Sequence, residues 1–329
     1  MPKVSADALN PCQPSCDALV ARLKALGVDR LGIAYSGGAD STALLLAAVR
    51  SWPGHVTALH VNHGMQVAAV DFERHCHIFC AERSISLRVA NLQVQPALGE
   101  SPEDAARKAR YVALQALCAK DAIKNVALAH HADDQAETLL LALSRGAGLP
   151  GLAAMAAQFE RGGVVFHRPV LTQNGTALRD WLVQMRIPFV TDPSNANEAL
   201  TRNKIRHQLL PTLERAFPAF RQTLARSARH AAQAQVLLVQ LAQEDALLSG
   251  LPPRLKALQA LRPERQANLL RYWLQHDHHC APSAAQLSEL LKQIAACTTR
   301  GHRIHLKVAS GAVQRVGLAL QYSTQPPPV

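Results

Sequence analysis

Tyr35-Ser36-Gly37-Gly38-Ala39-Asp40-Ser41-Thr42 joins an apolar run, Leu31–Tyr35, to a helical pattern, Ser41–Arg50. Two adjacent glycines let the backbone turn tightly and aim its N–H groups at an anion, and the start of a helix adds a favourable dipole. The hydroxyls of Ser36 and Ser41 can donate to phosphate oxygens. Asp40 would repel a phosphate unless a cation such as Mg2+ bridges the two. No Gly-Lys-Ser/Thr follows, so the loop is not a Walker P-loop. It also lacks the third glycine and the spacing of a dinucleotide fingerprint. As a strand–turn–helix junction it predicts the first βα unit of a parallel sheet.

Outward from this loop the pattern repeats. Val56–Val61, Leu87–Leu92 and Asn125–Ala129 read as further strands. Ala68–Cys80, Pro102–Cys118 and Asp134–Leu143 read as helices between or after them. Such alternation predicts an α/β fold with a parallel sheet and helices on both faces. Ser101-Pro102-Glu103-Asp104 has the residues of a helix start: a cap serine, a proline in the first turn and an acid three residues after the cap. Residues 145–152 loosen into a Gly-rich stretch, and a helix returns over Thr176–Met185. A run from Pro218 to Ser249 without interior Pro or Gly predicts one long helix. Beyond it, Pro263–Gln275 and Ser283–Ala295 read as helices. Two β-like runs, Arg303–Ala309 and Ala312–Tyr322, follow, turned by Ser310-Gly311. The expected organisation is therefore a domain over 1–217, a connecting helix over 218–249 and a small α+β C-terminal domain over 250–329.

The chain has 329 residues, 35 Lys+Arg and 24 Asp+Glu, for a net charge of +11. Residues 218–329 hold 13 of the basic and 5 of the acidic side chains, a net of +8; residues 1–217 carry only +3. A basic C-terminal third points to a polyanion such as nucleic acid, against the alternative of a scattered solubilising surface. The longest apolar stretch, near Thr42–Val49, falls far short of the roughly 18 residues a membrane span needs. The opening Met-Pro-Lys-Val-Ser-Ala-Asp carries no apolar segment of a secretory signal, so no secretion is expected; a cytoplasmic protein without a membrane partner is the expectation. The seven cysteines, at 12, 16, 76, 80, 118, 280 and 297, include no C-x2-C pair. Free thiols follow, with Cys76 and Cys80 one turn apart on a buried helix face.

Ser-Gly-Gly-x-Asp-Ser is similar to the pyrophosphate loop of the N-type ATP pyrophosphatases, which split ATP into AMP and pyrophosphate and adenylate a substrate oxygen. Further motifs come in order. They are His60-Val-Asn62-His63-Gly64, Glu103-Asp-Ala-Ala-Arg107-Lys-Ala-Arg110-Tyr111 and His130-His131-Ala-Asp133-Asp134-Gln135-Ala-Glu137. After these come Arg145-Gly-Ala-Gly148, Asp192-Pro-Ser-Asn195 and Arg202-Asn203-Lys-Ile-Arg206 with Leu209-Leu210-Pro211. Over residues 31–217 this set resembles the tRNA(Ile)-lysidine synthetase family. Leu258, Pro263 and Leu269-Leu270-Arg-Tyr-Trp273 resemble that family's C-terminal tRNA-binding module.

The resemblance implies ATP and Mg2+ as cofactors, with free L-lysine and the CAU-anticodon isoleucine tRNA as partners. It also allows a homodimer. It implies that lysine is ligated to C2 of the wobble cytidine through an adenylated base, which changes codon reading from AUG to AUA. Residue by residue, it assigns the pyrophosphate to Ser36, Gly37, Gly38, Ala39, Asp40 and Ser41, and the adenosine to His60, Asn62 and His63. Asp40 and Asp134 would hold Mg2+, Arg110 and Arg202 would offset developing charge, and Asp134 or Glu137 would face the lysine amine. Arg107, His131, Asp133 and Arg206 would complete the substrate site.

Each residue also has a plainer reading. Glu103, Arg107 and Arg110 make a solvated stripe on one helix face. His60 and His63 are satisfied structural histidines, and Asp133 caps its helix. Arg202 and Arg206 make salt bridges to Glu198 or to a neighbouring surface. His130, His131, Asp133 and Asp134, with His167 and Asp192 recruited, would make a zinc or dinuclear site. The rival functions are a tRNA thiolase, which would need reactive cysteines near the loop, and a non-catalytic RNA-binding protein.

Overall fold

The structure is a computed structural model that describes residues 14–62, 69–93, 95–96, 101–299 and 301–324. Contacts divide the chain into two units, Met1–Arg229 and His230–Val329.

In the first unit, α1 (Pro14–Lys24) precedes β1 (Leu31–Ala34), α2 (Ala39–Ser51), β2 (Val56–Asn62), α3 (Ala69–Glu82) and β3 (Ser86–Asn91). Then come α4 (Pro102–Lys120), β4 (Asn125–Ala127), α5 (Ala132–Ser144), α6 (Leu149–Leu152), β5 (Gln158–Arg161), β6 (Val164–His167) and α7 (Gly175–Gln184). The unit closes with a 3-10 turn (Pro193–Ala196), α8 (Thr201–Lys204), a π turn (Ile205–Leu209), α9 (Leu210–Ala216) and the start of α10 (Phe220–Ser249).

The strands form one sheet in the order β3-β2-β1-β4-β6-β5. All neighbours pair in parallel except β5, which runs antiparallel to β6 at the edge. Side chains alternate between its faces with period two. Leu31, Ile33, Val56 and Ala58 join the core under α1, α2, α3 and α7, while Leu59, Val126, Leu128 and Phe166 join the core with Tyr111, Leu114 and Leu117 of α4. Helices thus cover both faces, as the alternation of strands and helices predicted. The β5–β6 hairpin lay outside that reading. Its turn is Gly162-Gly163, both with positive φ (57° and 73°), the conformation a two-residue hairpin loop demands.

Several boundaries differ for physical reasons. The Gly-rich stretch 145–152 contains the short helix α6. Ser101 occupies the cap position of α4, but its side chain makes no cap bond; Pro102 fixes the first turn instead. Asp133 does not cap α5. That role falls to His131, and Asp134 closes the capping box from the third helical position. His63, Gly64 and Cys12 lie outside the described residues, as does Ala68, where the third helical run was expected to begin.

In the second unit, the rest of α10 is followed by α11 (Leu255–Ala260), α12 (Pro263–His278) and α13 (Ala284–Ala296), then β7 (His305–Val308), β8 (Gly311–Val316) and β9 (Ala319–Ser323). The run expected over Ala312–Tyr322 is two strands. Gly317, at φ 59°, reverses the chain, and Val316 pairs with Ala319 to give a three-stranded antiparallel sheet. Leu258, Leu270, Trp273, Leu290, Ile294 and Val313 fill its core. The buried carboxylate of Asp245 on α10 is met by Arg265 of α12. Among the described residues, no helix is long and apolar enough to cross a membrane.

Candidate active site

The loop after β1 is held from several sides. Gly37 has φ 83°, and a Cβ on it would come within 3.1 Å of Val190, 3.2 Å of Cys76 Sγ and 3.4 Å of His75. Only glycine fits there. The Val190 amide donates to the Gly37 carbonyl at 2.9 Å, so the segment that leads to Asp192 is zipped onto the loop. Ser36 and Ser41 Oγ lie 3.1 Å apart, Ser41 Oγ donates to Gly38 O at 3.0 Å, and Thr42 Oγ1 donates to Gly37 O at 3.3 Å. Gly38 caps α2 with no side-chain cap bond, so the first-turn amides of Ala39, Asp40 and Ser41 are the orphan donors of a helix start. These amides form an anion cradle.

Asp40, in the first turn of α2, points across the sheet's carboxyl edge to α5. His131 Nε2 lies 3.6 Å from both Asp40 Oδ2 and Asp134 Oδ2, and His131 Nδ1 lies 3.5 Å from Asp133 Oδ2. Burial opposes a charge on this imidazole, but the hydrogen bond it donates to Asp40 and the carboxylates of Asp134, Asp40 and Asp133 overcome it and lift its pKa to about 9. When the ring is neutral, Nδ1 accepts the Asp133 amide at 3.3 Å and completes the helix cap. Two carboxylates facing one positive centre beside a phosphate cradle are the hard oxygen donor set that suits Mg2+, which usually takes one or two carboxylates plus phosphates. Among the described residues, no group of three or more His, Cys, Asp or Glu is arranged to hold a metal, so the zinc or dinuclear alternative finds no support.

Glu137, only 1% exposed, lies next to this pair. Arg206 meets it in bidentate fashion, Nε to Oε1 at 2.7 Å and Nη2 to Oε2 at 3.1 Å, and reaches Asp134 Oδ1 at 3.2 Å. Burial raises the Glu137 pKa, and Arg206 works against that rise. Arg202 pairs with Glu103 of α4 at 3.2 Å, so neither arginine takes Glu198, which accepts from Gln208 instead.

A hollow of about 230 Å³ opens here, lined by Asp40, His131, Asp133, Thr176, Arg179, Arg206, Glu214 and Arg221 among others. A somewhat larger hollow, about 280 Å³ near Arg22 and Pro169, contains none of the loop residues.

The remaining candidates fall elsewhere. Arg107 and Arg110 are exposed on α4 and do not line the hollow. His60 is buried, and its Nδ1 donates to the Tyr35 carbonyl at 2.9 Å, so it braces the loop from beneath. Asn62 donates to Glu73 at 2.7 Å. Asp192 caps the 3-10 turn, accepting the Ser194 amide at 2.8 Å, and Asn203 clamps Ser194 O and Asn197 O. His167 bonds Asn125 at 2.9 Å. Cys76 and Cys80 are buried on α3, and burial pushes their thiols to about 12 and about 11, far from a reactive thiolate.

Several contributors escaped the sequence, Thr176, Arg179 and Glu214 of the hollow's lining among them. Arg221, at the start of α10, donates to Asp133 and grips Glu214 with its other nitrogens at 2.7 and 3.2 Å. It is 88 residues from Asp133, a separation without a spacing signal. Arg168 follows a strand that was not foreseen. Gly175 opens α7 against His131, where a Cβ would fall 2.9 Å from ring Cε1 and Nε2. Gly175→Ala must therefore displace the imidazole, at a cost of about 1–3 kcal/mol. A lower thermal midpoint and weaker Mg2+·ATP binding are expected, checked by calorimetric melts and ATP titration.

The adjacent histidines respond oppositely to pH. Burial and the nearby Arg168, Arg110 and Arg107 hold His130 down at about 4, against the pull of Asp134. Its neutral form contributes stability above pH 6.5 that is lost as pH falls towards 4. The charged form of His131 contributes stability below pH 6.5 that is lost as pH rises through 9. Urea titrations at pH 5, 7 and 9.5 should show His130→Gln flattening the acid side and His131→Gln the alkaline side.

Comparison with known proteins adds to this geometry. Residues 12–213 match a PP-loop domain, ATP_bind_3, and residues 254–317 match the TilS substrate binding domain. A tRNA(Ile)-lysidine synthase of Polaromonas naphthalenivorans (strain CJ2) is 57% identical over 315 residues, covering 96% of each chain. One of Burkholderia pseudomallei (strain K96243) is 43% identical over 288 residues; the match covers 85% of this chain but 59% of that relative's length. The U34-tRNA thiolase NcsA from Methanococcus maripaludis shares the fold, with a TM-score of 0.56 at 16% identity over 67% of this chain and 81% of its own.

Proposed function

Since the chain belongs to the tRNA(Ile)-lysidine synthase family, whose members are ATP-using, tRNA-modifying enzymes, we propose that it ligates free L-lysine to C2 of the wobble cytidine of the CAU-anticodon isoleucine tRNA, in the cytoplasm. One observation carries the reading. Asp40, on the loop suited to pyrophosphate, and Asp134, beside the Glu137–Arg206 pair, lie 3.6 Å from the same His131 nitrogen.

In this reading the amides of Ala39–Ser41 and the hydroxyls of Ser36 and Ser41 hold the β- and γ-phosphates, which leave as pyrophosphate. Cytidine O2 attacks the α-phosphorus, and the base becomes an adenylate. Mg2+, when bound, would be held by Asp40 and Asp134 and would neutralise charge on the phosphates. Arg110 and Arg202 would offset charge on the α-phosphoryl group. The lysine side chain enters the hollow beside Asp40, and its ε-amine attacks C2 as AMP leaves. The amine must shed a proton, and Asp133 or Asp134, which line or adjoin the hollow, would receive it. Glu137 is buried and turned to Arg206, so it acts by holding that guanidinium. The basic second unit would grip tRNA phosphates.

The test is direct: incubate the protein with ATP, Mg2+, labelled lysine and the tRNA, then digest the RNA and analyse the nucleosides by mass spectrometry. A cytidine bearing lysine is the expected product. Unmodified cytidine with no pyrophosphate released would overturn the reading. The high-pKa thiols of Cys76, Cys80 and Cys118 weigh against the thiolase alternative.

A further inference from the structure

His130 and His131 are neighbours in sequence, but their rings meet different surroundings. His131 faces carboxylates, whereas His130 stands among arginines at the carboxyl end of β4. Arg168, just past β6 in the adjoining strand register, is only 6% exposed. Its guanidinium lies 4.6 Å over the Phe159 ring and donates through Nη1 to the Ala156 carbonyl. It is therefore fixed on several sides. Its Nε donates to His130 Nδ1 at 3.3 Å. A guanidinium has donors and no acceptor, so Nδ1 must present a lone pair and the ring's single proton must sit on Nε2. The charges of Arg107 and Arg110 also disfavour a proton on the ring's second nitrogen, which keeps the imidazole neutral.

We propose that His130 serves the reaction as a neutral hydrogen-bond donor, its Nε2–H directed to a phosphoryl oxygen of the base adenylate, and that Arg168 is the positioning residue that sets this tautomer. The proposal rests on the adenylation chemistry above. A neutral imidazole suits the task because it donates without surrendering its proton. No proton moves to or from His130 in either half-reaction. The burial and positive surroundings that keep its pKa near 4 work in the same direction.

The tautomer is read by long-range proton–nitrogen correlation on protein carrying 15N-labelled histidine, with the His130 signals assigned by their loss in His130→Gln. The expected result is an unprotonated Nδ1 and a protonated Nε2, unchanged between pH 6 and pH 8. A protonated Nδ1, or titration with a midpoint near 6.5, would overturn the proposal. Neither tRNA nor lysine is needed, so this outcome is independent of the reading of the reaction.

Kinetics supply the second arm. The Gln amide N–H reaches the Nε2 position, so His130→Gln should keep about ten-fold more pyrophosphate release than His130→Ala, with KM for ATP unchanged. Arg168→Met should lower kcat in the wild-type background but not further in His130→Gln, and Arg168→Lys, which restores a donor, should recover part of the rate. Equal losses from Arg168→Met in both backgrounds would make Arg168 a packing residue and sink the positioning claim. Should Arg168→Met fail to fold, Arg168→Lys in the same two backgrounds carries the comparison.

Discussion

Replacing Asp40 with Asn lowers tRNA-dependent pyrophosphate release by on the order of 10²–10³-fold while leaving the protein folded. The side chain is 36% exposed and lies 3.6 Å from the His131 ring, so no core contact is lost. What disappears is a full negative charge at the point where the phosphate cradle faces α5. Asparagine keeps the shape and one oxygen but is a poor ligand for a hard cation. The loss should appear in kcat and in the Mg2+ concentration needed for half-maximal rate, with the thermal midpoint little changed. The pKa of His131 should fall in the same variant, because one of its carboxylates is gone. An Asp40→Asn enzyme that releases pyrophosphate at the wild-type rate would remove Asp40 from the chemistry.

Arg206→Met has the second large effect, and here stability falls together with activity. Glu137 is 1% exposed, and its carboxylate oxygens are met by the Arg206 Nε and Nη2 groups. Removing one partner of a buried pair strands the other charge, at a cost of about 3–5 kcal/mol. The low end applies, because the Arg206 side chain is itself 36% exposed and partly hydrated. Glu137 escapes by taking up a proton, towards which burial already drives it. Stability of the variant should therefore rise as pH falls from 7 towards 5, and Glu137→Gln in the same background should recover most of the loss. Urea denaturation of the single and double variants measures both. Activity should not return in the double variant, since Asp134 also loses its Arg206 contact at 3.2 Å.

Much of the fold was legible because its signals are local. The turn at Gly37-Gly38, the alternating strands and the helix starts are all written within a few residues of where they act. The β5–β6 hairpin carried the Gly162-Gly163 signal, yet its strands are four residues each, too short for periodicity to stand out. The site divides in the same way. Asp40, His131, Asp133 and Asp134 sit in motifs at the carboxyl ends of parallel strands, where such sheets gather ligands. Arg221, Arg168 and Gly175 reach the site from afar, and only the folded chain brings them there. His60 and Asn203 illustrate the converse. Each stands in a motif, and each spends its hydrogen bonds on the backbone that shapes the site: Tyr35 O for one, Ser194 O and Asn197 O for the other.

If the RNA base, not the amino acid, is adenylated, pyrophosphate release requires tRNA before it requires lysine. Protein at high concentration is mixed with Mg2+ and γ-labelled ATP, with the CAU tRNA alone or with lysine alone, and released pyrophosphate is counted in a rapid-quench experiment. Adenylation of the base gives a burst with tRNA and no lysine, approaching one pyrophosphate per active site, and none with lysine and no tRNA. Pyrophosphate formed from ATP and lysine without RNA would contradict it, because the activated species would then be an aminoacyl adenylate.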